Sequence, residues 1–556
     1  MDAINSSDPS HLAVAAAPFL ASRPETNAEV RSVVFAHLAG LVVAPTLAAL
    51  EKGNVLHLLK TASWVDFDQL AEHSKANRGY LRIALRLAVG AGWLAQRPSA
   101  GPQQFALTGR ARAELADVLP LFREAAAFGE TGLEMDALLF GSPSDAARGS
   151  FTRLVSRVKE RWGRPECGPA GRVTMQLDAT AIGPIMVALS RRGVFDHLEH
   201  GPIRLSSLGA NPELHRAFEL LALLGWVSLE KGSAALTTAG SYAAQIAPAY
   251  GVTVSYLSRL STLDLLLYGD PLLPRVDSAG NEISVDRAMN VWGSGGAHKT
   301  YFKRVDEIVI EIFNRPLRQQ PRGICDMGCG DGTFLTHLYS VIRDKTARGQ
   351  VLDSHPLIVI GADYSEVACR ITRKALEDAR IPIRHVVFGD INRPALLAAD
   401  FERLQYDIHE FFHVRSFLDH NRPYIKPEGY AAGTRHARTT GAFAHLGRDI
   451  APDELEENLV RHLRRWAPYV GRFGLLCLEL HTLRPELTAA NLDRTPALAY
   501  DGTHGYSDQY LVELPVFLSC AFEAGLVADL HFQTSFPASE LATVSINLFT
   551  PRIAFM

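Results

Sequence analysis

The residues best suited to chemistry fall in the second half of the chain, on a glycine turn and at the ends of short apolar runs. In Gly323-Ile-Cys-Asp-Met-Gly-Cys-Gly-Asp-Gly332, Asp326 stands two positions ahead of Gly328, and Gly330 and Gly332 follow at alternate positions. Glycines permit a tight turn and let the backbone approach a ligand closely, while the N-terminus of a following helix favours polar or anionic groups. Asp363, followed by Tyr364, ends the apolar run from Pro356, where a carboxylate can accept both hydroxyls of a ribose. Asp390 and Ile391 end a third such run. His420 stands in Asp419-His420-Asn421, and an imidazole, with an unperturbed pKa of about 6.5, suits proton abstraction near neutrality. A helix cap is the alternative reading of the Asp419–His420 pair. His481 follows Glu479 by two residues, and His504 and Gln509 lie in Gly502-Thr-His-Gly-Tyr-Ser-Asp-Gln-Tyr510.

These residues need a scaffold that gathers them on one rim. From Arg322 onward short apolar strands alternate with helical stretches, which predicts an α/β domain with a Rossmann-like sheet. Asp363 lies farther from the glycine turn than the usual 20 residues or so, which requires a longer helix or an inserted loop around Lys345–Ser354. Dinucleotide-binding folds place G-x-G-x-x-G at the same point, whereas the spacing here is G-x-G-x-G. That arrangement resembles motif I of the class I S-adenosylmethionine-dependent methyltransferases. The resemblance implies that Asp326, Gly328, Gly330, Gly332, Asp363, Tyr364, Asp390 and Ile391 bind the cofactor, with Asp390 accepting the adenine amino group and Ile391 packing on the ring.

A closer resemblance covers about 290–550. Gly328–Gly332, His413–Tyr424 and Trp466–His481 are similar to the metal-dependent C-methyltransferase domains of polyketide synthase loading modules of the apratoxin type, and to their standalone relatives. Such domains methylate an activated carboxylic acid carried as an acyl thioester. The resemblance implies His481 and Gln509 as ligands of iron or manganese, and His504 is a further candidate on spacing alone. By comparison with small-molecule O-methyltransferases, His420 with Asp419 corresponds to the general-base pair. The expectation is therefore metal-assisted C-methylation of a small acid or acyl thioester in secondary metabolism. O- or S-methylation of a free small molecule is the alternative.

The front half contains a duplication. Pro45–Leu59 aligns without gaps on Pro184–Leu198, Gly92-Trp93 matches Gly225-Trp226, and Ala106-Leu-Thr108 matches Ala235-Leu-Thr237. Each copy has the helix and strand-pair pattern of the winged-helix modules that precede many O-methyltransferase domains, where they cover the substrate and mediate dimer contacts. The expected organisation is a disordered tail (1–28), winged-helix-like repeats (29–130 and 131–250), a helical connector or lid (251–315) and the methyltransferase domain (316–556). The arginine-rich stretch Leu459–Trp466 reads as a solvated helix, or as a dock for an acidic carrier protein.

Composition narrows the partners. The 56 Lys and Arg nearly balance 60 Asp and Glu, and the predicted recognition helices are apolar, which argues against nucleic acid and against a cofactor-sensing DNA regulator. Six cysteines in 556 residues make no disulfide framework, so a reducing cytoplasm is expected. No uninterrupted apolar run reaches the roughly 18 residues of a membrane span. The N-terminal modules suggest a homodimer, and the chain reads as a free-standing enzyme acting on a small-molecule or carrier-bound acyl substrate.

Overall fold

The computed structural model describes residues 24–98, 102–162, 169–273, 275–278 and 282–551. Most of the expected tail, 1–23, lies outside the described residues. The chain divides into two compact units. One comprises Met1–Ala297 with Ala442–Asp449 and Arg484–Asp508; the other comprises His298–Gly441, Ile450–Leu483 and Gln509–Met556. A single boundary at 315/316 does not describe this division, because two excursions of the later chain join the first unit.

The second unit is built on eight strands: β1 (Gly323–Met327), β2 (Ile358–Asp363), β3 (Ile383–Phe388), β4 (Phe411–Ser416), β5 (Leu475–Leu480), β6 (Leu526–Ala528), β7 (Thr534–Phe536) and β8 (Val544–Pro551). Their order is β3-β2-β1-β4-β5-β8-β6, with β7 also on β8. The first five strands are parallel and β8 runs antiparallel to β5. β1 is buried along its whole length, as a parallel strand covered on both faces must be. Connections run opposite ways from β1 and β4, so their carboxyl ends form a topological switch point, where ligands bind in open α/β sheets. The inserted loop before β2 is tied down by Arg348. Its guanidinium donates to the carbonyls of His355 (2.8 Å), Pro356 (3.0 Å) and Pro321 (3.2 Å).

In the first unit the repeats run in parallel. Helices α1 (Asn27–Lys52) and α5 (Pro169–Arg191) each contain a proline, Pro45 and Pro184, and each is followed by a short helix. Later in each repeat stand α2 (Arg78–Gly90) and α6 (Pro212–Leu223). Each three-stranded sheet has its last strand in the middle. Trp93 and Trp226 are buried at equivalent points, and Thr108 and Thr237 cap equivalent helices.

The duplication extends beyond the matches seen in sequence. Helices α3 (Met135–Phe140) and α7 (Leu263–Tyr268) are also equivalent, with Met135-Asp-Ala-Leu-Leu-Phe-Gly141 matching Leu263-Asp-Leu-Leu-Leu-Tyr-Gly269. The two repeats exchange these helices. The Asn77 amide of the first repeat donates to the Leu266 and Gly269 carbonyls, and Asn211 of the second donates to Leu138 and Gly141. Lys52, at the end of α1, pairs with Asp264 of α7, and Arg192, just after α5, pairs with Asp136 of α3. A Cβ on Gly132 would stand 2.6 Å from Leu257 Cδ1 and 2.9 Å from Pro184 Cγ, so a side chain there would make its neighbours shift.

α1 is long and apolar enough to cross a membrane by length and composition, but 83% of that window is buried within the protein. It is a core helix of the paired repeats.

Candidate functional site

The glycine turn leaves β1 with Gly328, Gly330 and Gly332 at φ of +86°, +55° and +80°, a region that side-chain-bearing residues rarely adopt. Beside Gly330 a Cβ would meet nothing within 4 Å, so the turn borders open space. Asp363, at the end of β2, anchors it: Oδ2 accepts from the Gly330 amide (3.0 Å) and Oδ1 from the Ser365 amide (2.8 Å). Asp326 Oδ1 is buried and has no hydrogen-bond partner. Burial, reinforced by the Asp363 and Asp331 carboxylates, pushes its pKa up to about 8. Asp390 is half-buried after β3 and accepts from the Asn392 amide (2.8 Å), while Ile391 is buried. Tyr364 and Phe388 are both exposed, with ring centroids 5.2 Å apart. Phe388 escaped the sequence reading because it looked like one more apolar strand residue.

His420 lies in the single turn after β4, and its ring faces Glu479 of β5. Nδ1 is 2.5 Å from Glu479 Oε1, and Oε2 accepts the His420 backbone amide (3.1 Å). The Leu480 amide donates to Oε1 as well, at 2.7 Å. Three donors thus fix the Glu479 carboxylate, and it holds the imidazole as the Nδ1–H tautomer with the basic lone pair on Nε2. The carboxylate partner of His420 is therefore Glu479 and not its sequence neighbour Asp419. Adjacent residues point apart here, while β4 and β5 lie side by side in parallel.

Asp419 instead faces inward and is fully buried. Its Oδ1 accepts from Arg415 Nη1 (2.6 Å) and from His462 Nε2 (2.8 Å), and Oδ2 faces the Cys477 thiol (3.4 Å). Although burial opposes ionisation, the Arg415 guanidinium and His462 hold its carboxyl well below the usual range. Arg415 also lies 4.0 Å over the Trp466 ring. The helix carrying His462 and Trp466, Pro452–Trp466, is no solvated surface along its inner face: Leu455, Leu459, His462, Leu463 and Trp466 are all buried. Their 3- and 4-residue spacing was the available signal, and the intervening arginines obscured it.

The segment 509–512 passes both histidines. The Tyr510 amide donates to the His420 carbonyl (2.8 Å), and the Val512 carbonyl accepts from the His481 ring at Nδ1 (3.2 Å). His481 Nε2 accepts from the Ser545 hydroxyl (2.7 Å). Both ring nitrogens are thus engaged by protein, and burial lowers the pKa to about 3. His504 belongs to the first unit, where Nδ1 meets the Tyr500 carbonyl (2.9 Å). His481 and Gln509 belong to the second unit. Among the described residues the grouped candidate ligands are Asp419, Cys477 and Glu479, whose carboxylates are already taken by Arg415, His462 and His420. Iron or manganese does not fit these donors.

Three more histidines share the burial of His481. Desolvation lowers His37 to about 3, and His413 and His462 to about 4. Each takes up a proton at about pH 6.5 once unfolded, so its stabilising contribution is complete above that pH and is lost as pH falls toward 4. Asp326 works in the opposite direction between about pH 4 and 8, but one group against four does not reverse the slope. The melting temperature is expected to fall steadily from about pH 6.5 to 4.5; a flat profile in a thermal scan is the contrary result.

Three family models match the chain: the AprA N-terminal domain over residues 30–96, the AprA winged helix domain over 178–270, and the AprA MT2-like domain over 282–547. The chain belongs to the AprA-type methyltransferases. It is an S-adenosylmethionine-dependent enzyme, and the unpartnered Asp326 oxygen and the open glycine turn fit that cofactor. Among solved structures, this methyltransferase is similar to an O-methyltransferase family protein from Burkholderia thailandensis, with 15% identity over 69% of this chain and 99% of that one, TM-score 0.40. The mitomycin 7-O-methyltransferase aligns at 13% identity over 73% and 100%, TM-score 0.38. An O-methyltransferase of neocarzinostatin biosynthesis aligns at 14% identity over 67% and 96%, TM-score 0.36. No curated protein gives a significant sequence match.

Proposed function

We propose that this AprA-type methyltransferase methylates an acidic O–H of a small molecule in secondary metabolism, with His420 as the base and Glu479 as its positioning residue. The observation that carries this reading is the His420 Nδ1–Glu479 Oε1 contact of 2.5 Å beside the switch point of the sheet. S-adenosylmethionine supplies the methyl group from a sulfonium. The protein's task is then to align the acceptor and remove its proton. Asp326, Asp363 and Asp390 bind and orient the cofactor. A thioether acceptor needs no base, so S-methylation leaves the His420–Glu479 pair without a task.

C-methylation of an acyl thioester, free, coenzyme-bound or carrier-bound, is the second reading, and the apratoxin-type resemblance favours it. An isolated α-C–H is far less acidic than a phenolic or enolic O–H, so its removal calls for Lewis-acid help. The engaged ring of His481 weighs against that help. In either case the enzyme acts in the cytoplasm.

The test is incubation with methyl-labelled cofactor and panels of phenolic, enolic and acyl-thioester acceptors, followed by mass spectrometry and carbon NMR of the labelled methyl. A methyl on oxygen is expected, and transfer only to thioether sulfur overturns the proposal. Stoichiometric iron or manganese in protein purified without chelator, lost in His481→Ala, would restore metal-assisted C-methylation.

A further inference from the structure

The exchanged repeats of the first unit are alike in packing but differ in what covers them. On the second repeat, α6 is faced by α4 (Asp145–Trp162), through Arg216 with Thr152 (3.3 Å) and Arg148 with Glu213 (3.6 Å). On the first repeat, the excursions 442–449 and 484–508 take that place against α2. Arg82 pairs with Asp449 (2.7 Å), and Arg86 with Asp501 (3.2 Å).

At the face of the first repeat lies a largely buried charged cluster. Arg275 donates to Asp508 (2.7 Å) and to the Tyr80 hydroxyl (2.5 Å), and Tyr80 donates to Asp508 (2.8 Å). Arg259, in the short helix Leu257–Ser261, is only 1% exposed. Its Nε and Nη1 have no hydrogen-bond acceptor, and among the described residues no carboxylate lies within ion-pair distance of it. The anions in its surroundings are committed elsewhere: Asp508 serves Arg275 and Tyr80, and Glu282 serves Arg287 (2.7 Å). A second cation, Arg275, adds to the excess of positive charge. Burying a guanidinium without an acceptor costs several kcal/mol, as an order of magnitude.

The module itself does not demand this charge. By the helix exchange, the position equivalent to Arg259 is Thr131, and that equivalent to Tyr80 is Leu214. Thr131 meets the Ser150 hydroxyl at 2.7 Å, and Leu214 is buried in the apolar core. At these two positions the second repeat is thus closed with neutral groups. Among the described residues of the first unit, the buried guanidinium donors without an acceptor belong to Arg259 and Arg275.

We propose that Arg259 is the recognition residue of a binding site, within the first unit, for a small organic oxyanion. Carboxylate and phosphate ester share the chemistry required, a planar or tetrahedral set of oxygens that accepts the guanidinium N–H groups. The site is independent of the methyl-transfer chemistry proposed above.

The test uses the full-length protein in thermal-shift titrations at constant ionic strength, with chloride replaced by propionate in one arm and inorganic phosphate in the other. A saturable rise of about 3 °C is expected in at least one arm. Propionate alone identifies a carboxylate ligand, and phosphate alone identifies a phosphate ester. Arg259→Met is expected to abolish the shift. Arg259→Lys, which keeps the charge but not the fork, is expected to need at least about tenfold more anion. No anion-specific shift in the wild-type protein overturns the proposal, as does a shift that survives unchanged in Arg259→Lys or Arg259→Met. Because the readout is binding without turnover, a negative result leaves the methyltransferase reading untouched.

Discussion

Replacing His420 with Gln lowers turnover by about 10²- to 10⁴-fold, the range for removing a positioned general base, and leaves cofactor affinity within about threefold. The ring pairs with Glu479 of β5, whereas the glycine turn and Asp363 stand at the ends of β1 and β2, so cofactor binding is not expected to follow it. Glu479→Gln tests the other half of the pair. An amide accepts one hydrogen bond from the ring but adds no negative charge, and two backbone amides compete for the same group. Turnover is expected to fall by about 10²-fold, as when a histidine loses the carboxylate that fixes its tautomer. The double variant should lose little more than His420→Gln alone, because the two residues act as a unit. Single-turnover kinetics with labelled cofactor measure each step. Activity within about threefold of wild type in His420→Gln removes the base assignment.

Asp419→Asn has the largest expected effect on stability. It leaves Arg415 and His462 buried without their anion, and breaking one partner of such a network costs about 3–5 kcal/mol. The carboxylate does not reach the His420 ring, so the fraction that remains folded should keep most of its turnover. Denaturant midpoints against wild type measure the first effect, and activity per folded molecule the second. A change below about 1 kcal/mol means the Arg415–His462 pair is held by something other than this charge. Together the two substitutions separate neighbours in sequence: His420→Gln costs chemistry and Asp419→Asn costs the fold.

The contrast between those neighbours marks how far the site was legible. Asp326, Asp363 and the three glycines follow from local rules, since a strand must turn tightly there and only glycine takes the required φ. The α/β sheet and its carboxyl-end rim follow from apolar strands alternating with helices. Glu479 stood two residues from His481 in the sequence, yet nothing local shows that it faces His420, 59 residues away. That pairing depends on the parallel register of β4 and β5, which aligns Ser416 with Leu478. His481 was singled out at the end of β5, and the structure gives both its nitrogens to Val512 and Ser545, partners contributed by a distant loop and an antiparallel strand.

By itself the sequence determined the methyltransferase sheet, the cofactor turn and the existence of two repeats, because each rests on spacing within a few residues. Only the tertiary structure decided which carboxylate orients His420, that Asp419 is a structural anion, and that the repeats exchange their terminal helices. These depend on contacts between segments far apart in the chain, where geometry and desolvation, rather than local pattern, choose the partner. Arg259 is the plainest case. Its helix gives no signal in sequence, and its lack of a counterion stands out only beside the equivalent Thr131, which meets a neutral hydroxyl.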